Sequence, residues 1–252
     1  MLTVENLSAS YGGGKDVLSA VNLAVAAGEL VTVVGPNGGG KSTLLGAISG
    51  AVGLGSGHIF MDGKENDFSS VCRVFQDPHV GTVGDFTIFE NMALAWCRGG
   101  RRLPIPWLTR RRKTIFRQHL SELEMGLETR GDELARSLSG GQRQALSLAM
   151  ATARNCKVLL LDEITAALDP RAAERLMNLV ERIVRQSKCA CLAVTHGMHQ
   201  AISHGDRILV VRDGAIATQF SGDEKSSLSV ADLFALFEFP FANGRHDINV
   251  LP

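Results

Sequence analysis

Residues 35–43 read Gly35-Pro36-Asn37-Gly38-Gly39-Gly40-Lys41-Ser42-Thr43, which satisfies the spacing Gly-x4-Gly-Lys-Ser/Thr. A glycine loop leading into a helix turns successive backbone N–H groups toward phosphate oxygens, and the positive end of the helix dipole adds to the attraction. Lys41 supplies a point charge for β- and γ-phosphates, and the Ser42 hydroxyl suits Mg²⁺. Gly38, Gly39 and Gly40 leave the backbone free to adopt torsions closed to other residues. A second centre lies at Val158-Leu159-Leu160-Leu161-Asp162-Glu163, an apolar strand that ends in two acids. Buried parallel strands present their C-terminal residues at the edge where ligands of such sheets sit. Alone, such a pair more often caps a helix or faces solvent. Beside a phosphate loop, Asp162 reads as a Mg²⁺ partner acting through water, and Glu163 as the general base for an attacking water. His196, two residues beyond an apolar run ending at Val194, is placed to reach a γ-phosphate.

The elements that must hold these groups follow from periodicity. Residues 2–9 and 17–25 alternate as strands around a Gly-rich turn at Tyr11–Gly14. Leu30–Val34 is a short apolar strand, and a helix runs from about Lys41 to Ile48. Strand patterns return at His58–Met61 and Cys72–Phe75, whereas 87–97, 110–125 and 141–153 are amphipathic at helical spacing. Strand and helix then alternate: Val158–Leu161, a helix over 171–185, Cys189–Val194, a helix near 196–202, and Ile208–Val211. The alternation predicts an α/β fold, a parallel sheet covered by helices. Residues 1–222 form its main domain, with an antiparallel β portion at the N-terminal end and an inserted helical subdomain over about 86–153. Residues 223–252 are expected as an extension carrying one short helix at 229–237.

Lys+Arg and Asp+Glu number 26 each across 252 residues, so the net charge is zero, which argues against a protein that holds nucleic acid by bulk basicity. The balance is uneven, because Arg98–Arg117 holds eight basic residues and no acid. No apolar run reaches about 18 residues, the length of a membrane helix. The first residues lack a signal-peptide layout, and five scattered cysteines make a poor disulfide framework, so a cytosolic chain is expected. Cys189 and Cys191 read as small buried apolar residues.

The string Leu138-Ser139-Gly140-Gly141-Gln142, followed by Arg143-Gln144 and a helix, resembles the signature of the ATP-binding cassette (ABC) family. The family's other motifs stand in order around it: Tyr11, the phosphate loop, Gln76 after a strand, Asp162-Glu163, Ala167-Leu168-Asp169 and Thr195-His196. The resemblance spans residues 2 to about 220 and implies the P-loop NTPase core of an ABC ATPase. It implies ATP and Mg²⁺ as ligands, with Tyr11 stacked on adenine. Gln76 would touch Mg²⁺ or the lytic water, and two cassettes would meet head to tail. Each ATP would then lie between one phosphate loop and the partner's Ser139, Gly140, Gly141, Gln142 and Asp169. Four positions depart from the family pattern, among them Ile164, where a Pro is common. Ala166 stands where a Ser is common, Gly39 replaces Ala or Ser, and Gly197 removes a side chain next to His196.

The segments Arg73-Val74-Phe75-Gln76-Asp77-Pro78, Gly81-Thr82, Thr87-Ile88-Phe89-Glu90-Asn91 and Gln144-Ala145-Leu146-Ser147-Leu148 resemble a bacterial importer branch associated with tryptophan/tyrosine-like solute-binding proteins. That resemblance implies a separate integral membrane permease, an extracytoplasmic solute-binding protein, and a location on the inner face of the cell membrane. The alternative is a nucleotide-dependent switch acting on a soluble partner. The basic stretch is either a solvated surface or a contact for the anionic leaflet, where each Lys or Arg is worth about 1 kcal/mol.

Overall fold

The computed structural model describes residues 1–10, 14, 16–97, 108–153 and 156–238. Tyr11, the stretch Arg98–Trp107 and the tail 239–252 lie outside the described residues. Two sheets organise the rest. The first is antiparallel, in the order β2-β1-β4-β5, from β1 (Leu2–Ala9), β2 (Leu18–Val25), β4 (Leu54–Met61) and β5 (Lys64–Glu65). The second has the order β10-β9-β3-β8-β7-β6, from β3 (Leu30–Val34), β6 (Val71–Val74), β7 (Val158–Asp162), β8 (Ala190–Val194), β9 (Arg207–Arg212) and β10 (Ala215–Ser221). Its strands are parallel except β10, which pairs antiparallel with β9.

The helices are α1 (Lys41–Ile48), α2 (Pro78–Gly81), α3 (Ile88–Trp96), α4 (Arg110–Ser121), α5 (Gly140–Thr152), α6 (Pro170–Ser187), α7 (Met198–Ser203), α8 (Gly222–Ser227) and α9 (Val230–Glu238). Alternation along the parallel strands sorts their side chains onto two faces. Leu159, Leu161 and Cys191 pack with Met92 of α3, Phe116 of α4, Leu146 of α5 and Leu176 of α6. Val31, Val33, Val158, Leu160 and Leu192 pack with Leu44 and Ile48 of α1 and with Leu2, Val4 and Leu23 of the antiparallel sheet. A third cluster, Val34, Ile208 and Val210 with Leu233 and Leu236 of α9, closes the β9 end. Cys189 and Cys191 are buried as expected of small apolar residues.

The central strands β3, β7, β8 and β9 are buried on both sides, as suits nearly continuous apolar runs. β3 holds one polar residue, Thr32, whose buried Oγ1 donates to the backbone oxygens of Ala201 (3.2 Å) and Arg207 (3.3 Å). The consequence for function is geometric. β3, β6, β7 and β8 all run the same way, so the residues that follow them emerge at one edge. Among the described residues no helix is long and apolar enough to cross a membrane.

Candidate active site

The phosphate loop follows β3 at the middle of this edge. Gly35 has φ +152°, and a Cβ there would lie 1.9 Å from the Val211 backbone oxygen, so only glycine lets the loop lie against β9. The loop is also braced from outside, where Gly214 N donates to Gly39 O at 3.0 Å. A Cβ on Gly39 would meet Val211 O at 3.0 Å and Pro36 O at 3.1 Å, a packing reason for glycine at this position. Gly40, at φ +105°, precedes α1, and no side chain among the described residues caps that helix start. Its free N–H groups and dipole therefore face the loop cavity. Lys41 lies beneath the loop, its Nζ donating to Gly35 O (2.8 Å) and Pro36 O (2.9 Å). Burial pushes its pKa down, and the nearby charges of Glu163 and Asp162 partly oppose that shift. Ser42 is exposed at the loop's end, and Thr43 is buried behind it.

Both carboxylates stand one strand away from β8. Asp162 closes β7, and its Oδ2 accepts from Arg73 Nη2 at 2.6 Å. Glu163 follows in the left-handed region, with φ +50°, a conformation that costs a non-glycine residue about 1–3 kcal/mol. Two backbone hydrogen bonds hold the strand ends around it. Glu163 N donates to Val194 O (3.0 Å), and Thr195 N donates to Val33 O (3.1 Å). Glu163 Oε1 then lies 2.7 Å from His196 Nε2, with the Glu163 side chain mostly buried and that of His196 half exposed. The sequence directs His196 at a γ-phosphate, and the structure pairs it with Glu163.

Support for the His196 loop comes from a residue the sequence reading missed. Gln200 Oε1 accepts from Thr165 Oγ1 (2.8 Å) and Thr195 Oγ1 (3.2 Å), while Thr195 Oγ1 accepts from Gly197 N (3.0 Å). The turn after Glu163 is thereby tied to the turn bearing His196. A side chain at 197 would crowd Gln200, since a Cβ there lies 3.1 Å from Gln200 Oε1, so Gly197 and Gln200 work as a pair. Gln76 lies exposed just past β6, and the preceding carbonyl, Phe75 O, accepts from Gln144 Nε2 of α5 at 2.9 Å.

Ser139 is the N-cap of α5 in a capping box with Gln142. Ser139 Oγ accepts from Gln142 N (3.3 Å), and Gln142 Oε1 accepts from Ser139 N (3.2 Å) and Arg130 Nη1 (3.1 Å). Because the hydroxyl oxygen serves as acceptor, its proton stays available to donate to an anion. Ser139, Gly140, Gly141 and Gln142 share a cavity of about 480 Å³ with Leu168 and Asp169. Asp169 is the N-cap of α6, accepting from Arg171 N (3.1 Å) and Ala172 N (3.0 Å). None of that cavity's lining belongs to the phosphate loop. The motif residues thus fall into two separate groups. One gathers Lys41, Asp162, Glu163 and His196, and the other gathers Ser139, Gly140, Gly141, Gln142 and Asp169.

Residues 18–166 match the ABC transporter family. Over 251 residues the chain is 38% identical to a tyrosine transport ATP-binding protein of Clostridioides difficile (strain R20291), covering 95% of this chain and 99% of that protein. The chain belongs to the ABC transporter family. This ABC cassette is an ATP-binding and ATP-hydrolysing subunit. It is also 32% identical over 229 residues to a choline transport ATP-binding protein of Bacillus subtilis (strain 168), covering 89% of the cassette but only 58% of that longer relative. Among solved structures it resembles a dimeric ATP-binding cassette in a post-hydrolysis state bound to ADP and Pi, with TM-score 0.72 and 26% identity. That match covers 88% of the cassette and 98% of the solved chain. A nucleotide-free ATP-binding cassette from an ABC transporter matches with TM-score 0.77 and 25% identity, over 89% and 92% of the two chains.

Proposed function

We propose that this cassette energises a bacterial importer of a small organic solute, of the aromatic amino acid class, through a separate membrane permease. The observation that carries the reading is the end-to-end match, in both directions, with a tyrosine transport ATP-binding protein. The cassette itself contacts nucleotide and permease and leaves the solute to other subunits, among them an extracytoplasmic solute-binding protein. It works as a peripheral subunit on the inner face of the membrane. Arg110 and Arg111, exposed at the start of α4, then face the anionic leaflet or acidic permease loops.

In this reading the two groups are half-sites, completed by those of a second copy related by a two-fold axis. The loop from Gly35 to Thr43 wraps the phosphates with backbone N–H groups, and Lys41 leaves its carbonyl partners to neutralise the β- and γ-phosphates. Ser139 and the start of α5 of the partner copy donate to the same γ-phosphate, and closure follows because the triphosphate binds both faces at once. Tyr11, which precedes the loop in sequence, is the stacking partner for the adenine. Glu163 accepts a proton from the attacking water, and His196 holds the Glu163 carboxylate and steadies the γ-phosphate.

The donors near the loop fit Mg²⁺. The Ser42 hydroxyl, the Asp162 carboxylate and the Gln76 amide oxygen are all hard oxygen ligands. Among the described residues no group of three His, Cys, Asp or Glu side chains could hold a metal by itself. Such a sparse set suits an ion that keeps its waters and is held largely by substrate phosphates. Bound Mg²⁺ would neutralise charge that develops on the phosphate oxygens, and Ser42 and Asp162 are the residues that would hold it.

The test is reconstitution. Purified with its candidate permease in vesicles, the cassette should show ATP turnover that rises several-fold when binding protein loaded with tyrosine is added on the outer side. Turnover indifferent to the permease and to loaded binding protein would contradict the importer reading, while leaving the ATPase assignment standing.

A further inference from the structure

The register between β6 and β7 brings together two side chains that are 89 residues apart in sequence. The strands pair in parallel, with Arg73 opposite Leu160 and Val74 opposite Leu161. Directly opposed residues share a face, and so do residues two apart on one strand. Arg73, Leu160 and Asp162 therefore stand on one side of the sheet, the side that Leu160 shares with α1. Arg73 extends along this face to the strand ends, where its Nη2 reaches Asp162 Oδ2 at 2.6 Å. The two side chains are only 19% and 16% exposed. The guanidinium carbon lies 5.0 Å from the centre of the Phe75 ring, which gives the planar cation a flat support. Arg73 Nε is buried without a hydrogen-bond partner among the described residues. The group thus accepts an unpaired N–H in order to stay on Asp162.

We propose that Arg73 is a positioning residue that sets how much magnesium the cassette needs to bind nucleotide. This rests on the reading of Asp162 as the metal's protein contact. Arg73 fixes the carboxylate by one oxygen and leaves the other for the metal's water shell. Its positive charge also competes with a divalent cation for the charge of Asp162. Asp162 therefore takes magnesium weakly unless triphosphate arrives with it. Because Arg73 is held to Phe75, and Phe75 O is bonded to Gln144 at the root of α5, the competition takes place on the segment that leads into Gln76.

The experiment titrates Mg²⁺ against binding of a non-hydrolysable ATP analogue to the purified full chain, read by calorimetry, with EDTA as the metal-free reference. Arg73→Gln should lower the half-saturating Mg²⁺ concentration about tenfold and leave the EDTA affinity within about twofold of the parent. Arg73→Lys, which keeps the charge, should hold the parent magnesium requirement within about twofold. Asp162→Asn should raise the half-saturating Mg²⁺ concentration at least severalfold. If Asp162→Asn retains the parent dependence, the reading of Asp162 fails and takes the proposal with it. If Asp162→Asn behaves as expected but Arg73→Gln needs as much magnesium as the parent, or more, the role of Arg73 alone is overturned. Should Arg73→Gln fail to fold, a shift in the requirement of Arg73→Lys beyond twofold in either direction overturns it equally.

Discussion

Replacing Glu163 by Gln should lower ATP turnover by about 10²–10⁴-fold, the range for loss of a general base, while ATP binds with parent affinity. The substitution is nearly isosteric. Gln keeps an oxygen that accepts from His196 Nε2, across a contact that measures 2.7 Å in the parent. It also tolerates the φ of +50° as well as Glu does, so the loops at the ends of β7 and β8 should hold their shape. What disappears is the capacity to take a proton from water. Closure depends on triphosphate and opening on its cleavage, so the variant should accumulate as an ATP-bound dimer in size-exclusion chromatography, and as a monomer with ADP. Phosphate release at the parent rate would show that the proton goes elsewhere.

Lys41→Ala should weaken nucleotide binding by roughly a hundredfold or more. Hydrogen bonds to a charged group contribute about 1.5–3 kcal/mol each, and Lys41 is placed to make two with the phosphates. In the parent, Nζ donates to Gly35 O and Pro36 O inside the loop, so the ammonium is already oriented when phosphate arrives. The pH dependence has a definite sign. Burial depresses the Lys41 pKa below its ordinary 10.5 in the nucleotide-free protein, and a bound phosphate raises it again. ATP affinity should therefore fall as pH rises through that depressed value toward 10.5, and Lys41→Ala should lack this alkaline limb. Isothermal titration of a non-hydrolysable ATP analogue across that range checks both statements.

Much of this site could be read from local sequence because its parts are local. The phosphate loop needs only β3 before it and α1 after it, and the sequence reading placed Leu30–Val34 and Lys41–Ile48 where the structure has them. Asp162 and Glu163 likewise end a run whose apolar character is unmistakable. The ABC resemblance rested on short contiguous strings of this kind.

Residues whose roles depend on distant register were not legible. Arg73 meets Asp162 only because β6 is laid beside β7, and Gln200 joins the two loops only because α7 starts over the turn after Glu163. Their residue types alone carry no such signal. β10 was missed for a different reason. It is an edge strand in which Phe220 alone is fully buried, so Ala215–Ser221 shows little alternation. β5, two residues long, and the polar α8 are too short and too exposed to leave a period.

The central claim is that each ATP is hydrolysed between the phosphate loop of one copy and the Ser139–Gln142 segment of the other. Gly141 has room for a side chain, since the nearest atom to a Cβ there is Leu168 Cδ2 at 3.8 Å, so Gly141→Asp should fold and set a carboxylate against the partner's γ-phosphate. Lys41→Ala and Gly141→Asp should each be inactive alone. Mixed in equal amounts, they can form a dimer in which one site has both an intact Lys41 and an intact Gly141. Steady-state ATP hydrolysis of the mixture is the decisive measurement. The account predicts that turnover returns to a sizeable fraction of the parent value, and a mixture as inactive as its two components would contradict it.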